Sequence, residues 1–384
     1  MFETTAIILY INAVLWIPTI MLMLHYAHLG KISRKQSTEN IKYASLPSVA
    51  VVIVAQEEAD KLRKNLPLFL GQQYPSEFQV IVVDIHSSDG TPKLMEELEE
   101  KYPHLCHTSI PASARDISMQ RLAMTLGIKN SYTEWVIFTQ ADCFPETEEW
   151  LANFMNTDVQ GKHAIIGLTK YTQCNNWLMK KRQFFRLWQQ MLWLPFATKF
   201  YPYRADDTLF AYQRDYFFRH NGFASDSKLQ VGAATLLVNK NISCRQCSIS
   251  IGKKSLLLQD NPLPHTWQQE AVFFMETRKH TKYKCLYRTW YAIKVLFPLI
   301  FTLSTIVSCV LWIQNYIVTG ILAFFWLIIY IVRDITFYST TQQLNIKSYH
   351  LTLPIFCSLI PLWDMRAWLK WRFTNKRTFR KKFV

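Results

Sequence analysis

Between Ser48 and about Arg288, hydrophobic positions fall into short β-branched blocks separated by amphipathic stretches, and this alternation predicts an α/β domain. SVAVVIVA (48–55) and QVIVVDI (79–85) are compact apolar runs bounded by turn residues. That is the pattern of strands buried on both faces of a parallel sheet. EEADKLRKNLPLFLGQQ reads as the helix between them, and a third strand, WVIFTQAD (135–142), follows the helical stretch ISMQRLAMTLGIKN. The order strand, helix, strand, helix, strand implies a parallel sheet with right-handed crossovers.

Longer apolar runs flank this domain. Ala6 to Leu29 carries no formal charge when its histidines are neutral, and a helix of that length spans a hydrocarbon core. Glu3 precedes it and Lys31, Arg34 and Lys35 follow, the reverse of a cleavable signal. Positive residues mark the inner side of a membrane, so the N-terminus is expected outside and the following chain in the cytoplasm of a bacterial inner-membrane protein. QSTENIKYASL (36–46) reads as a polar linker. Beyond Arg288, Tyr291 to Trp312 and Ile317 to Val332 read as a transmembrane helical hairpin. Gln314 and Asn315 lie at its turn, Trp312, Tyr316 and Tyr330 at the interfaces, and Arg333 at the return to the cytoplasm. LTLPIFCSLIPLW (351–363), interrupted by Pro354 and Pro361, is too short to span and reads as re-entrant or interfacial. The expected boundaries are an anchor at 1–30, a linker at 31–47, the α/β domain at 48–288, the hairpin at 289–333, and an interfacial segment with basic tail at 334–384.

Composition agrees with a soluble domain joined to membrane segments: 50% of the 384 residues are hydrophobic and 15% aromatic. A net charge of +15 raises the question of nucleic acid. The basic residues instead cluster beside apolar runs, at Lys31, Arg34 and Lys35 and again from Arg366 to Lys382. Their placement argues for a membrane partner and no nucleic acid. Eight cysteines form no regular framework, and Cys309 and Cys357 lie within apolar runs, so a reduced compartment is expected. Cys244 and Cys247 make a lone CxxC without a second ligand pair, which argues against zinc.

Open α/β sheets bind ligands outside the carboxyl ends of their strands, so polar residues there are the first candidates. The first strand ends at Gln56-Glu57, the second at Asp84 followed by Ser87-Ser88-Asp89-Gly90-Thr91, and the third at Gln140-Ala141-Asp142. One carboxylate there can accept from a base edge or ribose hydroxyl, and another can hold a divalent metal on a diphosphate. The plainer alternatives are that SSDGT is an N-cap and turn, and that Asp142 caps PETEEWLANF. No GxxxxGK[ST] or GxGxxG run occurs, which counts against P-loop and dinucleotide enzymes.

The stretch VAQEEADKLRKNLPLFLGQQYPSEFQVIVVDIHSSDGTPKL resembles the opening of the family 2 glycosyltransferases, with strand, asparagine-glutamate, a helix ending in Q-x-Y-P, strand, and D-x-S-x-D-G-T. RLAMTLGIKNSYTEWVIFTQADCFPETEEWL is similar to the family's D-x-D strand, and the likeness continues through YRADDTLFAYQRDYFFRHNGFAS to the membrane hairpin. The resemblance implies a Rossmann-like nucleotide-diphospho-sugar transferase (GT-A) fold flanked by transmembrane helices. It also implies sugar transfer, with inversion, from a nucleotide-diphosphate donor to a lipid-linked or polysaccharide acceptor, using Mg²⁺ or Mn²⁺. Carried over by motif, Gln56, Glu57, Asp84, Ser88, Asp89, Arg121 and Lys279 would bind the donor nucleotide. Asp142 would be the metal carboxylate.

Several positions depart from the family pattern. Gln56 replaces the asparagine of the first loop, and Gln140 the first aspartate of D-x-D. Where membrane relatives have a strand with a glycine followed by a glutamate-aspartate-aspartate cluster containing the base, this chain has Gly232-Ala233-Ala234-Thr235. Asp206 and Asp207 in YRADDT remain as substitute acids or as turn residues. WQQEAVFFMETRKH resembles the Q-x-x-R-[WH] element that closes over the diphosphate, offering Arg278 and Lys279 for that role, or else a basic helix face. With these losses, a catalytically silent binding or scaffold subunit is the alternative to an active transferase.

Overall fold

The computed structural model describes residues 2–41, 46–111, 117–172, 176–311, 316–344 and 353–379. The chain divides into two compact units, Arg34–Lys282 with Ala367–Val384, and Met1–Ser33 with Tyr283–Arg366.

The first of these is built on a sheet. Its strands are β1 (Val49–Ala55), β2 (Phe78–Asp84), β3 (Leu105–Ser109), β4 (Trp135–Gln140), β5 (Cys143–Pro145), β6 (Ala164–Gly167), β7 (Thr169–Tyr171), β8 (Phe210–Gln213), β9 (Cys247–Ser250) and β10 (Leu257–Gln259). The main sheet runs β3-β2-β1-β4-β8-β6-β9, and β5-β10-β7 form a small second sheet. The first four strands are parallel, and β8 is antiparallel to both β4 and β6. The expected α/β alternation is therefore present, with one correction: WVIFTQ is the fourth strand. The short edge strand LCHTS precedes it, and its Cys, His, Thr and Ser carry no β-branched apolar block to mark it.

β1 and β2 are buried along nearly their whole length, so helices must cover both faces. Ala59–Leu70 does so with Leu62, Leu66, Phe69 and Leu70, each worth about 1.5–3 kcal/mol on burial. Phe69 meets the fully buried Trp150 edge-on at 5.6 Å between ring centroids. Met119–Asn130 lies so close to β1 that a Cβ on Gly127 would fall 2.4 Å from Val52 Cγ1. Only glycine permits that approach.

The run expected as a strand after GFAS is instead the helix Ala233–Asn241. It begins at Gly232, whose φ of 63° is left-handed and whose Cβ would meet Thr277. Ala, Leu and Asn are better suited to helix than to strand, and Asp207 caps the start. The C-terminal segment also corrects the expected boundaries, because residues 367–379 belong to this unit rather than to a free tail. Phe379 completes a small cluster with Leu229, Val231, Leu236 and Val272, and its carbonyl accepts from Gln230 N–H at 3.0 Å.

The other unit is helical. The first helix runs from Phe2 to Thr38, so the start of the expected linker is helical. Thr340 Oγ1 donates to the Tyr26 carbonyl at 3.0 Å, and the Tyr26 and Phe337 rings meet at 5.5 Å. Among the described residues one helix is long and apolar enough to cross a membrane, over Thr319–Gln343. Its Ile321, Phe324, Leu327, Ile331 and Ile335 are exposed, the reverse of a soluble core helix. That helix continues through Arg333 to Gln343, past the expected end of the hairpin. The segment expected as re-entrant is part of a continuous helix, Leu353–Phe373, with Pro361 inside it. Trp312, Gln314, Asn315, Leu351, Thr352, Arg380, Lys381 and Lys382 lie outside the described residues.

Candidate active site

The carboxyl ends of β1, β2 and β4 are adjacent: Ala55 pairs with Asp84, and Val54 with Gln140. From β1 the chain steps outward to β2 and β3, then returns to β4 on the other side of β1. That reversal leaves a crevice outside the β1 and β4 ends.

The loops after β1 and β2 are tied to each other. Glu57 and His86 both take left-handed conformations, with φ of 53° and 50°, a strain that side-chain-bearing residues adopt only when neighbours enforce it. Glu57 N–H donates to Ser87 Oγ at 2.8 Å, and Ser88 donates to Glu57 Oε1 from its amide at 2.7 Å and its hydroxyl at 3.0 Å. Asp84 is buried and accepts from the Ser87 amide at 3.1 Å and from its hydroxyl. A carboxylate has about four lone-pair sites, so Asp84 keeps capacity for a ligand. Gln56 is exposed beside them.

Asp89 is the plainer alternative realised. Its two oxygens accept from Ala59 N–H and Thr91 N–H, both at 3.0 Å, at the starts of two helices. The Thr91 hydroxyl and these amides hold its carboxyl below the ordinary range. It builds the loop rather than presenting a free ligand atom.

Asp142 does not cap the following helix, whose N-cap is Glu149. Its Oδ2 accepts from Gln259 Nε2 at 2.9 Å, and its carbonyl from Asp260 N–H at 2.9 Å. Asn65 Nδ2 holds the neighbouring Ala141 carbonyl at 2.9 Å. Asp142 Oδ1 faces only the Cys143 thiol, at 3.5 Å, and so remains open to a cation. No group of three or more His, Cys, Asp or Glu side chains able to hold a metal occurs among the described residues. Mg²⁺ and Mn²⁺ sites often use one or two carboxylates with phosphate oxygens and water. Asp142, with its open Oδ1, fits a cation carried in by a diphosphate.

Asp206 and Asp207 are committed to protein partners. Asp206 accepts from Arg204 Nε at 2.9 Å and Gln190 Nε2 at 3.2 Å. Burial acts to raise its pKa, but Arg204 and Arg186 outweigh that and hold it below the ordinary range. Asp207 accepts from Ala234 N–H at 2.6 Å and Gln120 Nε2 at 3.1 Å, and burial pushes its carboxyl up. Thr235 Oγ1 donates to the Ala205 carbonyl at 2.6 Å. Ala234 and Thr235 therefore act as a buttress for the Asp206-Asp207 loop.

Arg121 is also corrected. It is buried, donating from Nε to Leu229 O and from Nη2 to Val231 O, both at 2.8 Å, which makes it a tether for the 229–231 segment. Lys279 lies over the Trp371 ring at 4.2 Å and 3.7 Å from Glu276, while Trp371 Nε1 donates to Glu276 Oε2 at 2.7 Å. Arg278 Nη1 reaches Met275 Sδ at 3.3 Å. The end of that element, at Glu276 and Lys279, therefore packs against Trp371 of the C-terminal segment.

Two arginines absent from the sequence reading stand at the site instead. Arg186 Nη2 donates to Thr208 Oγ1 at 2.9 Å and Thr169 Oγ1 at 2.5 Å, with its guanidinium 4.7 Å from the Tyr171 ring centroid. Burial opposes its charge, yet Tyr171, Asp206 and Glu270 keep it firmly protonated. Arg204 joins Asp206 and lies 4.1 Å over Phe274. The available signal was Arg182 and Arg186 one turn apart in an aromatic-rich helix, a spacing that places both on one face.

Residues 50–224 match the model of Glycosyl transferase family 2. Over 134 residues the chain is 30% identical to glycosyltransferase AglE of Haloferax volcanii, covering 34% of this chain and 42%, less than half, of that relative. The structure of this chain is similar to that of a mannosyltransferase from Pyrobaculum calidifontis in complex with GDP-Man and Mn²⁺. That likeness has a TM-score of 0.58 and 17% identity, and covers 96% of this chain and 99% of that one.

Proposed function

We propose that the chain, whose residues 50–224 match the Glycosyl transferase family 2 model and whose fold is mixed α/β and GT-A-like, transfers a sugar, with inversion, from a nucleoside-diphosphate donor to a lipid-linked or glycan hydroxyl at a membrane. The observation that carries this reading is the convergence of Glu57, Asp84 and Asp142 at the β1, β2 and β4 ends, beside the crevice where strand order reverses. Asp84 and the Glu57 loop would receive the nucleoside. Asp142 would hold Mg²⁺ or Mn²⁺, which supplies charge neutralisation for the departing diphosphate.

The apolar Thr319–Gln343 helix supports membrane attachment. The basic residues Lys31, Arg34, Lys35 and Arg333 support a cytoplasmic position for the transferase domain. A nucleotide-binding subunit without transfer is the second reading, favoured by the amide Gln140 and by the replacement of three acids at Ala233-Ala234-Thr235.

The test uses the full chain purified in detergent, titrated with UDP, GDP and their sugar conjugates in Mn²⁺ or Mg²⁺. At least one should bind, and Asp84→Ala should weaken it by about 1–3 kcal/mol, roughly 5- to 150-fold in Kd. Absence of binding to every nucleotide, or binding indifferent to Asp84→Ala, overturns the reading. Transfer of radiolabelled sugar to membrane lipid extract separates enzyme from silent subunit.

A further inference from the structure

A transferase of this kind needs an ionised carboxylate with a free lone pair facing the acceptor. The obvious acids do not meet that need. Asp206 is pinned by Arg204 and Gln190, Asp207 by the Ala234 amide and Gln120, and Asp89 by two helix amides, so each is built into the fold rather than turned to a ligand. Asp84 is buried beneath the Ser87 amide and hydroxyl.

The helices Trp177–Lys199 and Pro264–Thr277 supply another. Their facing is fixed at two points. At one, the Arg182 guanidinium lies 5.7 Å from the Trp267 ring centroid, and Phe185 meets the same ring at 6.3 Å. At the other, Phe274 packs under Arg204 of the loop before β8, and Arg204 Nη1 donates to Gln189 Oε1 of the first helix at 3.1 Å. Trp267, Glu270 and Phe274 follow at three- and four-residue steps and share one helix face. Arg186 is one turn beyond Arg182 on the opposing helix. Glu270 is thus carried between the two anchors, toward Arg186.

Glu270 is exposed, and no described donor hydrogen-bonds its carboxylate. Around it stand Arg186 from the first helix, Arg204 and Asp206 from the loop before β8, Asp142 after β4, and Tyr171 of β7. Arg186 donates through Nη2 to Thr169 and Thr208 and makes no hydrogen bond to Glu270 among the described residues.

We propose that Glu270 is the general base that activates the acceptor hydroxyl, a role that rests on the transferase reading above. The acceptor O–H proton passes to the Glu270 carboxylate. The freed oxygen pair forms a bond to the anomeric carbon of the nucleotide sugar. The bond from that carbon to the β-phosphate oxygen breaks, and its electron pair leaves with the nucleoside diphosphate. Packed protein behind the carboxylate raises its pKa, as do Asp206 and Asp142, while Arg186 and Arg204 oppose this. A base with a raised pKa is stronger than an ordinary carboxylate, and the two arginines only partly offset that rise.

The experiment compares wild type, Glu270→Gln and Glu270→Asp as full chains in detergent. Binding of UDP, GDP and the UDP- and GDP-sugars with Mn²⁺ is measured by calorimetry, and transfer of radiolabelled sugar to membrane lipid extract across pH. Glu270→Gln should keep the thermal midpoint and nucleotide Kd, lose transfer by about 10²- to 10⁴-fold, and lose the acid limb of the pH–rate profile. Glu270→Asp should retain that limb at reduced rate. Transfer and pH profile unchanged in Glu270→Gln overturn the base assignment alone. So does a wild type that binds nucleotide sugar but transfers to no acceptor. A wild type that binds no nucleotide overturns the transferase reading itself, and the base with it.

Discussion

Replacing Asp89 with alanine separates the structural role of the SSDGT loop from the ligand role that its position suggests. Asp89 satisfies the first amide of two helices, Ala59–Leu70 and Thr91–Lys101. Loss of a capping side chain costs about 0.5–2 kcal/mol per helix, so Asp89→Ala should cost about 2 kcal/mol and at most about 4. For a domain of this size, 1 kcal/mol moves Tm by about 2–4 °C, giving an expected fall of about 4–8 °C for a 2 kcal/mol loss. The pKa of Asp89 is depressed in the folded state. Its contribution is therefore fully present above the unfolded carboxylate pKa of about 3.9, and is lost as pH falls through the folded value. The assay is thermal unfolding of wild type and Asp89→Ala in detergent from pH 7 into the acid range, with nucleotide affinity measured well below either midpoint. The two melting curves should converge in acid, and nucleotide Kd should stay within about twofold, under about 0.5 kcal/mol. An unchanged Tm with affinity reduced about tenfold, or about 1.4 kcal/mol, would refute the argument and return Asp89 to the ligand set.

Asp206→Asn should destabilise by about 3–5 kcal/mol, because it leaves Arg204 and Arg186 without their carboxylate in a largely buried setting; a variant melting within a degree or so of wild type contradicts this. The wild-type Asp206 pair has its carboxyl held low, so its contribution should persist above the unfolded pKa and disappear as pH falls through the folded one. Trp371→Ala should leave Glu276 without its indole donor and Lys279 and Lys376 without their ring. The expected result is a loss of about 1–3 kcal/mol and earlier proteolysis after Ala367, and equal protease resistance would show that the segment is not held there.

The parallel half of the sheet was legible because β1, β2 and β4 are continuous β-branched runs, which only burial on both faces accounts for. β3 was not, since an edge strand needs less apolar content and LCHTS has one buried residue. Ala233–Asn241 was misplaced because a family strand was mapped onto it, although its composition and the Gly232 start already favoured a helix. The helix ends at Thr38, Gln343 and Phe373 ran past the expected boundaries for a related reason. A hydropathy edge marks where apolar sequence stops, whereas backbone hydrogen bonding continues into polar residues when nothing breaks it.

The candidate site divides along the same line. Glu57, Asp84 and Asp142 were accessible from sequence because each stands at or just beyond a strand end, so locating the strand locates the residue. Arg186, Arg204 and Glu270 are brought to one another from 18 to 84 residues apart by two helices and a loop, and no local pattern announces that meeting. Their consequence runs back to the acids. Asp206 looked like a substitute base while only its sequence position was known. Once Arg204, Gln190 and Arg186 surround it, its proton affinity falls and its oxygens are occupied. The same arginines act on a Glu270 that no described protein donor claims, and there burial outweighs them, so its proton affinity rises and its oxygens stay open to a ligand. What distinguishes a structural acid from a reactive one here is therefore the count of donors already satisfied, and that quantity exists only after the chain has folded.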